Sequence, residues 1–419
     1  MKFSLSKKSV IIILLSTITS IVLMVLCYLV TNLGYSIAGE GAWVAKSYQN
    51  IRKMKNEKPT IPDSILFINT TYDKELVPVY DADGFPLGNL DITDRDALYR
   101  FLSILQQRND YKYVYLDIFF EEGYDSPSDE KLFPLISKMR DITIPRHRDA
   151  VLGHKELLWN HAFISDYTVT KSSKNFMKYE LLPDSDKSVV LHMYNEMAGR
   201  DIKYNGLCYT DGGRLCNSTL FAKQIINFKK PYDENGNKNY YNLSADLLVD
   251  EEDLLTTPLL KDKYIFIGAM ELNDIHGTSE GALPGVVITA NTFISVMQGQ
   301  HVIPVVMIAV LFVVLFCISY QVYSGRTLAK WFKSLINKYW PETNANIMTY
   351  LLSWLSYMSL LSLACCISYY FYGVVYDIFF TATIFQSVDY FITNKDQLNK
   401  GGGQALMSIL GLWVKKPKV

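Results

Sequence analysis

KYIFIGAMELNDIHGTSEGALPGVVITANTFISVMQGQ, residues Lys263–Gln300, places a strand, a turn and a helix in immediate succession. Tyr264–Ile267 is a β-branched and aromatic run closed by Gly268, the pattern of a short buried strand. A polar loop carrying Asp274 and His276 follows, then Leu283-Pro284-Gly285, a turn signal. Val286–Gln298 reads as a helix, with Val286, Ala290, Phe293 and Met297 recurring on one face. Gly299 ends it and His301 leads into an apolar span. The stretch therefore delivers the last element of an α/β domain to a bilayer.

The bulk composition agrees. Hydrophobic residues make up 49% of the 419 and the mean hydropathy is +0.07, yet 20% are charged. That mixture fits a water-exposed domain attached to membrane helices. A net charge of -1 gives no basis for nucleic-acid binding. Many of the 29 tyrosines cluster near the apolar spans, as membrane interfaces favour.

Taken in order, Met1–Ser9 is a cytoplasmic N-tail with Lys2, Lys7 and Lys8, and residues 10–33 form an uncharged span. The run exceeds the ~20 residues that cross a bilayer core. A cleaved signal peptide competes, given the small residues of Ser36–Gly41, but the apolar core is longer than a signal requires. The lysines place the N-terminus inside, so residues 34–301 form the exported domain. Within it Ala42–Lys58 reads as a helical stalk and Ser64–Asn69 as the first strand. Thr70–Leu90 reads as a long polar loop. Asp94–Gln107 is a helix opened by an aspartate, Tyr113–Phe120 a strand apolar on both faces, and Asp129–Lys138 a second helix. This is the βαβ pattern of a mostly parallel sheet with flanking helices. Val189–Met193 is expected as a further strand. Residues 302–323 make a second span, 324–346 a cytoplasmic loop with Arg326, Lys330, Lys333 and Lys338. Residues 347–372 and 374–392 are a third and fourth, divided at Gly373, and 393–419 a cytoplasmic tail whose Ala405–Val414 could lie on the membrane surface. The fold class expected is thus an α/β extracytoplasmic domain plus four transmembrane helices, one before it and three after.

Several blocks resemble the CHASE-two family, the second type of cyclase/histidine-kinase-associated extracytoplasmic sensory domain. Gly268, an aspartate in the following loop, and Pro284-Gly285 before an alanine-containing helix carry the resemblance at the domain's end. Earlier, Arg95 opens a helix, a strand ends Asp117-Ile118-Phe119-Phe120, and Pro127 and Asp129 open the next helix. Thr219–Phe228 resembles the family's strand leading into a further signature, here Ile226-Asn227-Phe228-Lys229, and Asp246–Leu260 resembles its next helix. Two family features are absent: a tryptophan-and-proline motif is replaced by Leu90-Asp91-Ile92-Thr93, and Thr289 stands where a histidine is frequent. The resemblance implies one span before the domain and three after, a homodimer, and an output domain, for which Thr393–Val419 offers no room.

For chemistry, Asp117 at a strand end and Asp274 with His276 in the loop after another are the ligand candidates, because open α/β sheets bind ligands beyond the carboxyl ends of their strands. The competing reading makes Asp117 a turn cap and Asp274–His276 a solvated loop. Cys208 and Cys216, flanking Thr210–Gly213, are candidates for a disulfide in an oxidising compartment. Cys27, Cys317, Cys365 and Cys366 fall in the spans. His147, His154 and His161, seven apart, are too widely spaced on one helix to share a metal, and neither a metal nor a cofactor is expected. Asp377 and Asp389 lie near the ends of the last span. The motifs GxSxG, GxxxxGK[ST], HExxH and GxGxxG do not occur, and no catalytic residue is assigned. The reading that follows is a receptor in the cytoplasmic membrane, both termini inside, whose state another membrane or cytoplasmic protein reads. The alternatives are an accessory subunit of an envelope-spanning complex and, behind it, an envelope enzyme.

Overall fold

The structure is a computed structural model that describes residues 7–33, 40–55, 57, 61–81, 83–165, 168–169, 176–183, 186–223, 226–228, 230–271, 274–278, 281–325, 328–339, 345–376 and 378–393. It divides into two compact units, Gln49–Val302 and a second made of Met1–Tyr48 with Ile303–Val419.

Six parallel strands form the frame of Gln49–Val302. In spatial order they are Tyr241–Asn242, Ile65–Asn69, Tyr264–Gly268, Tyr113–Leu116, Ile142–Arg146 and Ala162–Ile164. Ile65–Asn69 and Tyr264–Gly268 pair in register along their whole length, from Ile65 opposite Tyr264 to Asn69 opposite Gly268. Apolar side chains point to both faces because helices cover both. Leu66, Ile68, Val114, Leu116, Ile265 and Ile267 pack one face against the helices Arg95–Arg108 and Asp129–Lys138, through Phe101, Leu102, Leu132 and Ile136 among others. Phe67, Tyr113, Tyr115 and Phe266 pack the other against Val189–Ala198 and Gly285–Met297, through Met193, Val286, Ala290 and Phe293.

Local chemistry fixes the helix starts. Asp94 Oδ1 accepts from the amides of Asp96 and Ala97 at 2.9 and 3.0 Å, satisfying two donors that a helix start leaves open. Asn109 closes that helix in the left-handed conformation. The helix Gly285–Met297 is buried from Gly285 to Val296, more than its one-sided apolar pattern implies. Asn291 within it acts as a backbone mimic, accepting from Ile226 N at 2.6 Å and donating to Ile226 O at 3.0 Å.

Several expectations are corrected. Thr70–Leu90 is not a plain loop: Lys74–Tyr80 and Pro86–Thr93 form an antiparallel ribbon that pairs with no other strand among the described residues. Val189–Met193 is the start of a helix running to Ala198, capped by Ser188 Oγ on Leu191 N and ended by Gly199 in the left-handed region. A five-residue apolar run fits either state, and the serine and glycine at its ends decide. The strand after Cys216 spans only Thr219–Leu220, and Asp246–Leu260 breaks into short turns of helix around Glu251–Thr256. The polar loop after Gly268 contains a hairpin, Ile275–Thr278 with Gly281–Pro284. No disulfide joins Cys208 to Cys216; the register sets Tyr209 opposite Cys216, with Cys208 one position beyond. Separately from these corrections, His147, His154 and His161 fall on a loop, a helix start and a 3-10 turn.

A buried carboxylate fastens the end of this unit. Asp211 Oδ2 accepts from Tyr194 Oη at 2.9 Å and from Arg214 Nη2 at 2.9 Å, and lies 3.2 Å from His301 Nε2. The His301 carbonyl accepts from Asn217 N at 2.8 Å. Burial holds the His301 imidazole below its ordinary value, with Asp211 pulling the other way.

In the other unit, Lys7–Thr31, Val305–Tyr323 and Met348–Tyr372 are long and apolar enough to cross a membrane. Helix Ile378–Thr393 has 16 residues, about 24 Å, against a hydrocarbon core of ~30 Å. Gly373, with φ 74°, separates it from the helix before. Asp389 is buried and accepts from Tyr357 Oη at 3.0 Å. The expected cytoplasmic loop holds an amphipathic helix, Leu328–Tyr339. Asp377 and the tail segment Ala405–Val414 lie outside the described residues.

Candidate functional site

Beyond the carboxyl ends of three neighbouring strands lies a cavity of ≈ 290 Å³. Thr70 follows the first strand, Asp117–Phe119 the Tyr113–Leu116 strand, and Ala269 the strand between them; all line it. Asp274 closes one side, and Lys74 with Leu90–Thr93 of the ribbon closes another. A parallel sheet places such a crevice here because its loops leave the carboxyl edge in diverging directions.

Asp117 is fixed by its backbone and by one oxygen. Its amide donates to Ile267 O at 2.7 Å, and Tyr115 Oη donates to Asp117 Oδ1 at 2.7 Å. Oδ2 is buried without a hydrogen-bond partner, although the residue as a whole is only half-buried. Burial, and then the charge of Asp274, push the Asp117 carboxyl up to about 7. The Tyr115 hydrogen bond and the nearby His147 and His276 pull it the other way.

Asp274 adopts φ 55°, a left-handed conformation that non-glycine residues rarely take. Its carbonyl accepts from Gly285 N at 3.0 Å, and its Oδ1 lies 2.7 Å from His276 Nε2. That hydrogen bond is the largest influence raising the His276 imidazole above its ordinary value. The Asp274 carboxylate also occupies the space where a side chain on Gly285 would begin, with Cγ at 3.0 Å from the ideal Cβ position. It therefore sits at the N-terminus of helix Gly285–Met297, where the helix dipole favours negative charge. Gly268 answers a similar constraint: a Cβ there would meet Asp117 Cβ at 2.9 Å and Val286 Cβ at 3.2 Å. The two glycines are what lets both carboxylates approach the sheet edge.

Arg95 lines the cavity from the start of its helix and is 2% exposed. Its guanidinium lies 4.2 Å above the Phe120 ring, with Nε 3.7 Å from Asp129 Oδ1. Asp129 Oδ2 accepts from Ser126 N at 2.8 Å. Burial lowers Arg95 to about 10 and raises Asp129, so desolvation outweighs the attraction of the pair for both partners. Arg95 Nε and Nη1 have no hydrogen-bond acceptor among the described residues.

The structure thus gathers most of the residues singled out from the sequence. Asp117, Asp274 and Arg95 line one crevice, Asp129 faces Arg95, Gly268 and Gly285 clear space, and His276 holds Asp274. Pro284 is the last residue before the helix. Asn227 does not line the crevice; its neighbours Ile226 and Phe228 dock on Asn291 and on the Phe67 and Tyr240 rings. Sequence reading missed Tyr115, Lys74 and the wall Leu90–Thr93. It also missed the support beside the crevice, where Asn69 Oδ1 accepts from Met270 N and Thr71 Oγ1, and Glu271 accepts from Tyr72 Oη at 2.6 Å and from Tyr240 Oη.

A family model described as the CHASE2 domain matches residues 86–321, more than half of the 419. The chain belongs to the CHASE2 family. No curated protein and no solved structure matches it. CHASE2 is an extracytoplasmic sensory domain, not a catalytic one. The crevice residues Leu90–Thr93, Arg95, Asp117 and Asp274 all lie within the CHASE2 match.

Proposed function

We propose that this CHASE2 protein is a membrane-anchored extracytoplasmic receptor whose crevice binds a small ligand, and whose state is read by a separate membrane or cytoplasmic protein. The observation that supports it is the convergence of Arg95, Asp117 and Asp274 on one cavity at the carboxyl edge of a parallel sheet. The anchor is four spans, with Ile378–Thr393 as the last, in the cytoplasmic membrane with both termini inside. Lys7, Lys8, Lys330, Lys333 and Lys338 support that orientation. The receptor acts as a homodimer, and its ligand distinguishes two arrangements by its affinity for each.

The test is thermal unfolding of the full-length protein in detergent, with and without a small-molecule extract of its native cells. Stabilisation is expected for the natural chain and lost in Ile92→Trp, which fills the crevice from its ribbon wall. Equal stabilisation of both proteins would refute the site.

A second reading, an accessory subunit of an envelope-spanning complex, draws on the ribbon. Leu76, Tyr80, Phe85 and Leu87 on it are exposed at 69%, 56%, 67% and 70%. A lone two-stranded ribbon with so much exposed apolar surface suits a docking arm. Stoichiometric envelope proteins that leave on Leu76→Asp/Leu87→Asp substitution would favour it.

A further inference from the structure

We propose that the crevice takes a small zwitterion, an amino-acid-sized molecule carrying one ammonium, one carboxylate and an apolar side chain. This rests on the crevice being the ligand site and names what that site selects.

Among the described residues, two buried polar groups that line the cavity lack a hydrogen-bond partner, and they are opposite in kind. Asp117 Oδ2 is an acceptor; Arg95 Nε and Nη1 are donors on a side chain 2% exposed. Natural proteins rarely leave such groups unanswered, and the exceptions mark places where something else completes the set. An ammonium supplies the donor that Asp117 lacks, and a carboxylate supplies an acceptor for one of the Arg95 donors, as a charge-assisted hydrogen bond. The Asp129 carboxylate does not fill that role, because its nearer oxygen stands 3.7 Å from Arg95 Nε.

The surrounding charges reject a ligand of either single sign. Asp91, Asp117, Glu121 and Asp274 oppose Lys74 and Arg95 around the cavity. A simple anion meets four carboxyl groups. A simple cation leaves the Arg95 donors unanswered. Leu90, Ile92, Ile118 and Phe119 add an apolar wall against which a side chain can lie. The volume of ≈ 290 Å³ is at or below the lower end of small-molecule pockets, roughly 300–1,000 Å³, and suits a ligand the size of a single amino acid.

The site also predicts a proton count. The Asp117 carboxyl is held near neutrality in its titration by burial and by Asp274, with Tyr115, His147 and His276 opposing. An ammonium set against it favours the ionised form, so binding at neutral pH releases a proton to the buffer.

The experiment uses the full-length protein in detergent after exhaustive dialysis. Each of the twenty common L-amino acids is titrated calorimetrically and by thermal unfolding. For any that binds, the analogues lacking one charge are compared; for L-leucine these are 3-methylbutylamine and 4-methylpentanoate. At least one amino acid is expected to bind, and both analogues to bind at least about tenfold more weakly. Asp117→Asn and, separately, Asp274→Asn should weaken binding by a similar factor with the circular dichroism unchanged. The binding heat at pH 7 should vary with the ionisation heat of the buffer. A singly charged analogue that binds as tightly as its parent overturns the proposal, as does the absence of binding by every amino acid. If a neutral or singly charged compound from the cell extract stabilises the natural chain but not Ile92→Trp, the crevice stands as a ligand site and the zwitterion falls. If nothing stabilises the natural chain in a way that Ile92→Trp removes, both fall.

Discussion

Replacing Asp117 with asparagine separates the charge of the crevice carboxyl from its shape, because the amide keeps an oxygen to accept from Tyr115 and cannot ionise. In the folded chain Asp117 titrates at about 7, raised first by burial and then by Asp274. In the unfolded chain an aspartate titrates at about 3.9. Between those values the folded protein keeps a proton that the unfolded one has released, so stability falls as pH rises. The effect is absent below about pH 4 and complete above about pH 7. A gap of about three units corresponds to roughly 4 kcal/mol, of which over a third is already lost at pH 5. Between pH 5 and pH 8 the Asp117→Asn variant should therefore gain about 2–3 kcal/mol on the natural protein. For a domain of this size that is about 5–10 °C in unfolding temperature. His276, raised by Asp274, titrates in both proteins and largely drops out of the comparison. Thermal unfolding of both full-length proteins at a series of pH values reads the difference directly. Parallel curves from pH 5 to pH 8, or a gap that narrows with rising pH, would show that Asp117 is not a buried, proton-holding group.

Three further substitutions probe what holds the site. Gly268→Ala places a Cβ 2.9 Å from Asp117 Cβ and should cost about 1–3 kcal/mol in denaturant unfolding; a neutral result removes the close approach of the two strands. Asp129→Ala strands the buried Arg95 charge and should cost about 3–5 kcal/mol, most of it recovered in the double variant Arg95→Met/Asp129→Leu. A double variant as unstable as the single one would mean that packing, not charge, is what Asp129 supplies. Asn291→Leu removes both hydrogen bonds to Ile226, at about 1–3 kcal/mol, and should speed hydrogen exchange of the Ile226 amide by at least tenfold; unchanged exchange would contradict the docking of that segment.

How far the sequence could be read differs from element to element. Runs such as Tyr264–Ile267 and Tyr113–Leu116 are apolar at successive positions and rich in β-branched or aromatic residues, as a strand buried on both faces requires, and both stand in the sheet centre. Asp94 and the apolar spacing after it mark a helix within one residue of its bounds. The ribbon Lys74–Thr93 escaped because, among its described residues, only Val77 is buried, so no alternation of polar and apolar residues betrays it. With the ribbon went one wall of the crevice. Asp117 and Asp274 were legible as strand-end residues from local pattern. What each touches was not, because Tyr115, Gly268 and Gly285 meet them only once strands far apart in sequence are paired. The buried Asp211 group escaped for the same reason: His301 is 90 residues from Asp211.

In the proposed function, the carboxyl edge of this parallel sheet is where the protein meets its ligand. Hydrogen exchange of the full-length protein in detergent, with and without the small-molecule extract of its native cells, tests it most directly. Slower exchange confined to the amides of residues 90–95, 117–124 and 269–274, and abolished in Ile92→Trp, is the predicted result. Protection that appears elsewhere in Gln49–Val302 while these three segments stay unchanged would contradict it.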